Sequence, residues 1–295
     1  MTKEPHFQRV ALIGIGLIGS SLARVIRREG LADTVVATSR TAETRRRAAE
    51  LGIVDEVVDS AEAAVAGADL VVICTPVGAY GAVAQAIAPH LRDGAIVTDV
   101  GSVKGAVIAA LAPHMPPGVH LVPGHPIAGT EHSGPEAGFD SLFEGRWCVL
   151  TPPDGTDPDA VEKVAALWRR AGSLVDVMDA AHHDMVLAIT SHIPHLIAYN
   201  IVGTVADLED LTKREVIKYA AAGFRDFTRI AASDPVMWRD IFLNNKDAVL
   251  EMLGRFTEDL AALQRAIRWD DGEALERMFT RTRAIRRGVI EVDQA

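Results

Sequence analysis

The chain has 295 residues, 48% hydrophobic and 24% charged, the proportions of a globular protein long enough for two domains. Its formal net charge of -10 argues against a nucleic-acid partner, which calls for a basic surface. A small anionic ligand stays compatible, because a site needs only a local cluster of arginines. No apolar run approaches the roughly 20 residues that span a bilayer, and the N-terminus MTKEPHFQRV lacks the apolar core of a signal peptide. The two cysteines, Cys74 and Cys148, have no metal-type spacing. Together these features predict a cytoplasmic protein without a membrane partner.

The first half alternates β-rich and helical runs. Residues 9–13 (RVALI), 34–38 (TVVAT), 69–74 (DLVVIC) and 95–99 (AIVTD) read as strands. Helical stretches follow them, including 17–28 and a charged amphipathic one at 42–51. Near-continuous Val/Ile runs point to parallel strands covered on both faces, and the rhythm gives βαβ units in a doubly wound sheet. Residues 121–122 and 147–150 add short strands. A turn-rich connection, TPPDGTDPD, leads through Pro158 into a helix to about residue 170, and 174–178 is a last strand. From residue 179 the β-branched runs vanish. Helical periodicity is clear at 246–266 and 272–289, so 179–295 reads as an all-helical domain following a nucleotide-binding domain at 1–178.

The motif Gly14-Ile15-Gly16-Leu17-Ile18-Gly19 directly follows a predicted strand and opens a helix, the context that makes it a dinucleotide fingerprint. Gly14 permits the tight turn, Gly16 lets the backbone approach a pyrophosphate, and Gly19 allows helix and strand to pack closely. Leu17 and Ile18 share that contact as the first residues of the helix, whose free N–H groups favour an anion. At the end of the second strand, Ser39-Arg40-Thr41 carries no acid for ribose hydroxyls and suits a 2′-phosphate, which favours NADP over NAD. Arg40 also reads as a solvated residue at a helix start.

Thr75-Pro76 ends the third β-run and flanks the cofactor. Ser102, in Asp99-Val100-Gly101-Ser102-Val103-Lys104, sits at the carboxyl edge where doubly wound sheets bind ligands, and is also suited to cap the next helix. His125, in the Gly/Pro-rich loop GHPIAGTEHSG, is placed to accept a hydroxyl proton as hydride departs to a nicotinamide. Arg225 and Arg229 are four apart in a helical run and so share a face suited to a carboxylate; a surface pair involving Asp226 is the competing reading. His182, His183, His192 and His195 invite a metal reading, but Pro194 interrupts the segment and no HExxH pattern exists, so no metal is expected. His195 reads as a substrate contact or an interior histidine, and Trp238 as a cleft wall or as packing.

GIGLIG, TDVGSVKG, GHPIAGTEHSG, HHDMVLAITSHIPH and GFRDFTRIAASDPVMW together resemble the prephenate/arogenate (cyclohexadienyl) dehydrogenase family of tyrosine biosynthesis. The resemblance implies a Rossmann-type α/β domain followed by an all-α dimerisation domain. It also implies NAD(P)-dependent oxidative decarboxylation of prephenate or arogenate, giving 4-hydroxyphenylpyruvate or tyrosine. His125 would accept a hydrogen bond from the ring 4-hydroxyl, and Ser102 would support that hydroxyl and the nicotinamide. Arg229 would hold a substrate carboxylate with Arg225 assisting. Thr130, His195 and Trp238 would line the pocket, and Glu131 would guard its mouth. A homodimer through the helical domain follows from the same resemblance. The chain ends soon after its last helix, so no fused chorismate mutase or ACT domain is expected, and tyrosine feedback would act at the active site.

Two other readings compete. A β-hydroxyacid dehydrogenase or imine reductase also joins a Rossmann domain to a helical one, but would draw its acid/base from the helical half. A non-catalytic NADP sensor would keep GIGLIGS and have no need of His125 with Arg229.

Overall fold

The Val- and Ile-rich runs form the centre of a parallel sheet in the computed structural model, which describes residues 6–130, 132–207, 218 and 221–291. Strands β1 (Phe7–Ile13), β2 (Ala32–Thr38), β3 (Glu56–Val57), β4 (Leu70–Ile73), β5 (Ile96–Asp99) and β6 (His120–Val122) lie in the order β3-β2-β1-β4-β5-β6. Helices α1 (Leu17–Glu29), α2 (Ala42–Glu50), α3 (Ala61–Val65), α4 (Tyr80–Ile87) and α5 (Lys104–Leu111) make the crossovers. This is the expected doubly wound Rossmann-type sheet. Alternate β1 residues serve opposite faces, as the period of two requires. Val10 and Leu12 join a core with Leu22, Ile26, Phe143 and Trp168, while Ala11 and Ile13 join one with Tyr80, Ile87, Val107 and Leu111.

A second, three-stranded sheet follows. β7 (Gly124–Pro126) pairs antiparallel with β8 (Trp147–Leu150), which pairs parallel with β9 (Leu174–Val177). The β8–β9 crossover is α6 (Pro158–Arg170), with Pro158 in its first turn and Asp157 as the capping residue. The GHP segment is therefore a strand rather than the irregular loop expected. Pro126 fits there because β7 is an edge strand and needs only one ladder.

The region after residue 179 is helical among the described residues. α7 (Ala180–Leu187), a π-helical turn (Ala188–His192) and α8 (Ile193–Ala206) run as one stretch. The expected interruption at Pro194 is absent. Pro194 falls in the first turn of α8, where its missing N–H costs nothing extra, and the wide π turn precedes it. Ala180–Ala206, 27 residues with an 18-residue window of mean hydropathy 1.4, is long and apolar enough to cross a membrane, which corrects the expectation that no such run exists. It nevertheless carries His183, Asp184 and His192 buried in a polar network. Helix α9 (Ala222–Thr228) tightens to a 3-10 turn at Arg229–Ala232, and α10 (Pro235–Asn244) ends at Asn245.

Two compact units divide at that point, Met1–Asn245 and Lys246–Ala295. The second is a helical hairpin of α11 (Lys246–Arg268) and α12 (Gly272–Glu291), turned through Asp270 at φ 54°.

Candidate active site

The carboxyl ends of β1, β4 and β5 lie side by side, with Ile13 opposite Ile73 and Ile73 opposite Asp99. Each residue that follows these strands therefore opens on one edge of the sheet, at the crossover between β1 and β4. Gly14 has φ 101°, and a Cβ there would come within 2.6 Å of the Cys74 carbonyl oxygen. Nothing lies within 4 Å of the position a Gly16 side chain would take. The α1 amides have no side-chain cap and no acid in the first turn. The Thr75 Oγ1 atom is buried and has no hydrogen-bond partner among the described residues. An open glycine, uncapped amides and an orphaned hydroxyl at one edge fit a dinucleotide phosphate there. Leu17 and Ile18 are half-buried at the same helix start, and Pro76 is exposed beside Thr75.

At the end of β2, Ser39 is half-buried while Arg40 and Thr41 are exposed. Thr41 caps α2 by accepting the Thr44 N–H at 3.1 Å. Arg45 donates to the Ser39 carbonyl at 2.7 Å and pairs with Asp59, which orders this turn.

The β5–α5 junction is clamped to β7. Lys104 and Asp99 are fully buried, and Lys104 Nζ donates to Asp99 Oδ1 and Oδ2 at 2.9 and 2.7 Å and to the Gly124 carbonyl at 2.6 Å. Asp99 also accepts the Gly101 and Gly124 amides and the Tyr80 hydroxyl. Burial pulls the Lys104 ammonium below its ordinary value and Asp99 opposes the pull. The three oxygen acceptors hold it as a cation. Ser102, half-buried in the bend between these two residues, and His125, next to Gly124, are thus carried on segments tied to one another.

Ser102 does not cap α5. The capping residue is Val103, and the Lys104 and Gly105 amides donate to the carboxylate of Asp184, at 2.7 and 2.8 Å. A single side chain from α7 thus satisfies two of the helix's orphan donors.

His125 is 7% exposed. Its Nδ1 lies 2.8 Å from His183 Nε2, and His183 Nδ1 lies 2.8 Å from Asp184 Oδ1. Burial, then the neighbouring His183, Lys104 and His192, push its pKa well below 6.5, so the ring is a neutral base at physiological pH. His192, buried and pushed to about 4 mainly by burial, accepts from Asn245 Nδ2 at 3.1 Å. Asn245 also donates to the Asp184 carbonyl at 2.8 Å.

The structure also brings His195 and Trp238 together, stacked with ring centroids 3.6 Å apart. Trp238 packs with Val103 and Ile241, and its Nε1 has no hydrogen-bond partner among the described residues. Burial lowers the His195 pKa, and the Arg229 charge lowers it further. Arg229 opens the 3-10 turn after α9, so Arg225 and Arg229 do not share one uninterrupted α-helix; both are exposed. Thr130 is exposed after β7, with Oγ1 accepting the His132 amide at 3.3 Å. Glu131 lies outside the described residues. Sequence reasoning reaches His183 and His192 only through the metal reading and misses Asp184, Asp99, Lys104 and Asn245, although TDVGSVKG and HHDM contain three of these four.

A Rossmann sheet with an open glycine cradle beside a buried neutral histidine defines a nicotinamide-dependent oxidoreductase. Residues 22–177 match the family model described as prephenate dehydrogenase, nucleotide-binding domain, and residues 179–281 that described as prephenate dehydrogenase, dimerization domain. The chain belongs to the prephenate dehydrogenase family. A cyclohexadienyl dehydrogenase of Zymomonas mobilis is 43% identical over 95% of this chain and 95% of its own length. The crystal structure of prephenate dehydrogenase from A. aeolicus in complex with hydroxyphenyl propionate and NAD+ superposes with a TM-score of 0.90 at 35% identity, covering 97% of this chain and 100% of that one. Synechocystis arogenate dehydrogenase follows at 0.82 and 28% identity, covering 96% and 100%.

Proposed function

We propose that this enzyme oxidatively decarboxylates prephenate, arogenate or both, with NADP preferred, in the tyrosine branch of aromatic biosynthesis. The observation that carries the reading is the buried, neutral His125 tied to the sheet edge where the cofactor cradle opens. When bound, the nicotinamide supplies the acceptor for the hydride that leaves C4 of the cyclohexadienol ring. His125 accepts the hydrogen bond of the 4-hydroxyl, so that the C–O bond gains carbonyl character as hydride departs. Carbon dioxide then leaves and the ring becomes aromatic, giving 4-hydroxyphenylpyruvate from prephenate or tyrosine from arogenate. Ser102 supports the hydroxyl, and Arg229 holds a substrate carboxylate with help from Arg225. His195, Trp238 and Thr130 line the pocket, and Glu131 guards its mouth.

Residues 1–178 serve as the nucleotide-binding domain and 179–295 as the substrate and dimerisation domain of a homodimer. A cytoplasmic location accords with the free thiols of Cys74 and Cys148. Gly14, Gly16, Leu17, Ile18, Gly19, Thr75 and Pro76 hold the dinucleotide, and Ser39, Arg40 and Thr41 meet its 2′-phosphate.

Reduced-cofactor formation measured with prephenate and with arogenate, each with NAD and with NADP, tests this directly. Turnover with at least one pair, fastest with NADP, is expected; no turnover in any of the four overturns the reading. His125→Asn should lower kcat by about 10²–10⁴-fold, and a kcat near wild type would remove its assigned role.

A further inference from the structure

We propose that Asp184 and His183 are positioning residues that fix the tautomer of His125, presenting its Nε2 lone pair to the substrate hydroxyl. The inference rests on His125 as hydroxyl acceptor and adds what makes it one. A neutral imidazole carries one N–H, and which nitrogen holds it decides whether the outward nitrogen accepts or donates. Nothing in the His125 ring itself makes that choice. The chain of contacts behind it does.

The chain starts at α5. The Lys104 and Gly105 amides can only donate, and they donate to Asp184 Oδ1 and Oδ2 at 2.7 and 2.8 Å. Held on both oxygens by a helix N-terminus, the group presents an acceptor to whatever else approaches. His183 Nδ1, 2.8 Å from Oδ1, therefore carries its hydrogen. With that nitrogen committed, the proposed arrangement leaves His183 Nε2 bare. His125 Nδ1 donates to it at 2.8 Å, and His125 Nε2 is left with its lone pair.

Three features keep the polarity from reversing. His183 is fully buried, so no solvent can exchange partners with it. The next residue along α5 is glycine, and a Cβ at Gly105 would stand 3.0 Å from Asp184 Oδ2, within the space the carboxylate needs. The Asp184 main chain is pinned as well, through its carbonyl to Asn245 Nδ2 at 2.8 Å. The sheet edge that receives the cofactor and the histidine that receives the proton are thereby oriented by one carboxylate.

Selective ¹⁵N labelling of histidine in the full-length enzyme, read by NMR, tests the assignment without substrate. Wild-type His125 is expected to be protonated on Nδ1 and bare on Nε2. The opposite tautomer in wild type overturns the proposal, with no variant required. Asp184→Ala removes the acceptor from His183 Nδ1, so the His125 hydrogen should no longer be confined to Nδ1. The same variant should lower kcat by about 10²–10⁴-fold, the usual contribution of a proton-accepting group, while KM stays within about threefold, since ground-state binding does not use that group. An unchanged tautomer in Asp184→Ala, or a lower kcat/KM with kcat intact, overturns the proposal. Failure of the underlying reading looks different: His125→Asn would then turn over like wild type whatever tautomer the spectra report.

Discussion

Lys104 carries more of this architecture than its place in a helix implies. Its ammonium and the Asp99 carboxylate are completely buried, and between them they hold the Gly124 amide and carbonyl on either side of the peptide leading to His125. Removing one member of such a pair strands a charge in the interior, at a cost of about 3–5 kcal/mol. Lys104→Met should therefore lower the unfolding free energy measured in urea by that much, and should also reduce kcat, because the strand bearing His125 loses its tether. An unfolding free energy within about 0.5 kcal/mol of wild type, the range of an ordinary surface change, would show that Asp99 is satisfied without the lysine. The sequence singles out His125 and Ser102 but not Asp184, and the reason is distance along the chain. Asp184 meets Lys104 across a separation of 80 residues. Ser102, three positions from Gly105, is the natural local cap, and only tertiary packing reveals that a carboxylate from α7 has taken the task.

At the level of elements, periodicity served well wherever burial alone decides the structure. Strands β1, β4 and β5 are apolar on both faces and stand where their Val/Ile runs put them. β7 escaped because Gly-His-Pro has turn chemistry and no apolar alternation; its strand geometry comes from pairing with β8 and from the Lys104 clamp. Pro194 misled for the converse reason, since a proline in a first helical turn is harmless and only the boundary between the π turn and α8 shows that it lies in one. The turn from β2 to α2 carries a prediction of its own. Arg45 binds the Ser39 carbonyl and Thr41 is occupied as a cap, so Arg40 is the charged group there that is held by neither task. A charged hydrogen bond contributes about 1.5–3 kcal/mol, or roughly 10- to 150-fold in kcat/KM. Arg40→Asp should lower kcat/KM for NADP by that factor and leave or raise the value for NAD. Equal losses with both cofactors would mean that Arg40 reads neither phosphate nor ribose.

For the whole molecule, the cluster of buried histidines sets how folding responds to acid. His192 is pushed to about 4 chiefly by burial, and His125 is driven well below 6.5 by burial and by His183, Lys104 and His192. In the unfolded chain both titrate near 6.5. Between that value and the folded pKa, the unfolded state binds more protons than the native one, so stability rises with pH across this window. Their contribution is complete above about pH 6.5 and is lost as the solution is acidified toward 4. The slope is at most about 1.4 kcal/mol per pH unit for each histidine. Carboxylates act in a lower window. Glu56, held down by its hydrogen bonds with Arg9, and Glu29, by Arg28, have depressed pKa values, so their support persists above the usual carboxylate range and fades only as they protonate below it. Denaturant unfolding of residues 1–295 at a series of pH values from 7.5 to 4.5, at constant ionic strength, should show stability falling steadily below about 6.5. His192→Gln, which cannot titrate, should flatten the upper part of that fall. A profile level from 7.5 to 5 would mean that the histidines ionise in the folded protein as easily as in water, and that the interior holding His125 is open to solvent.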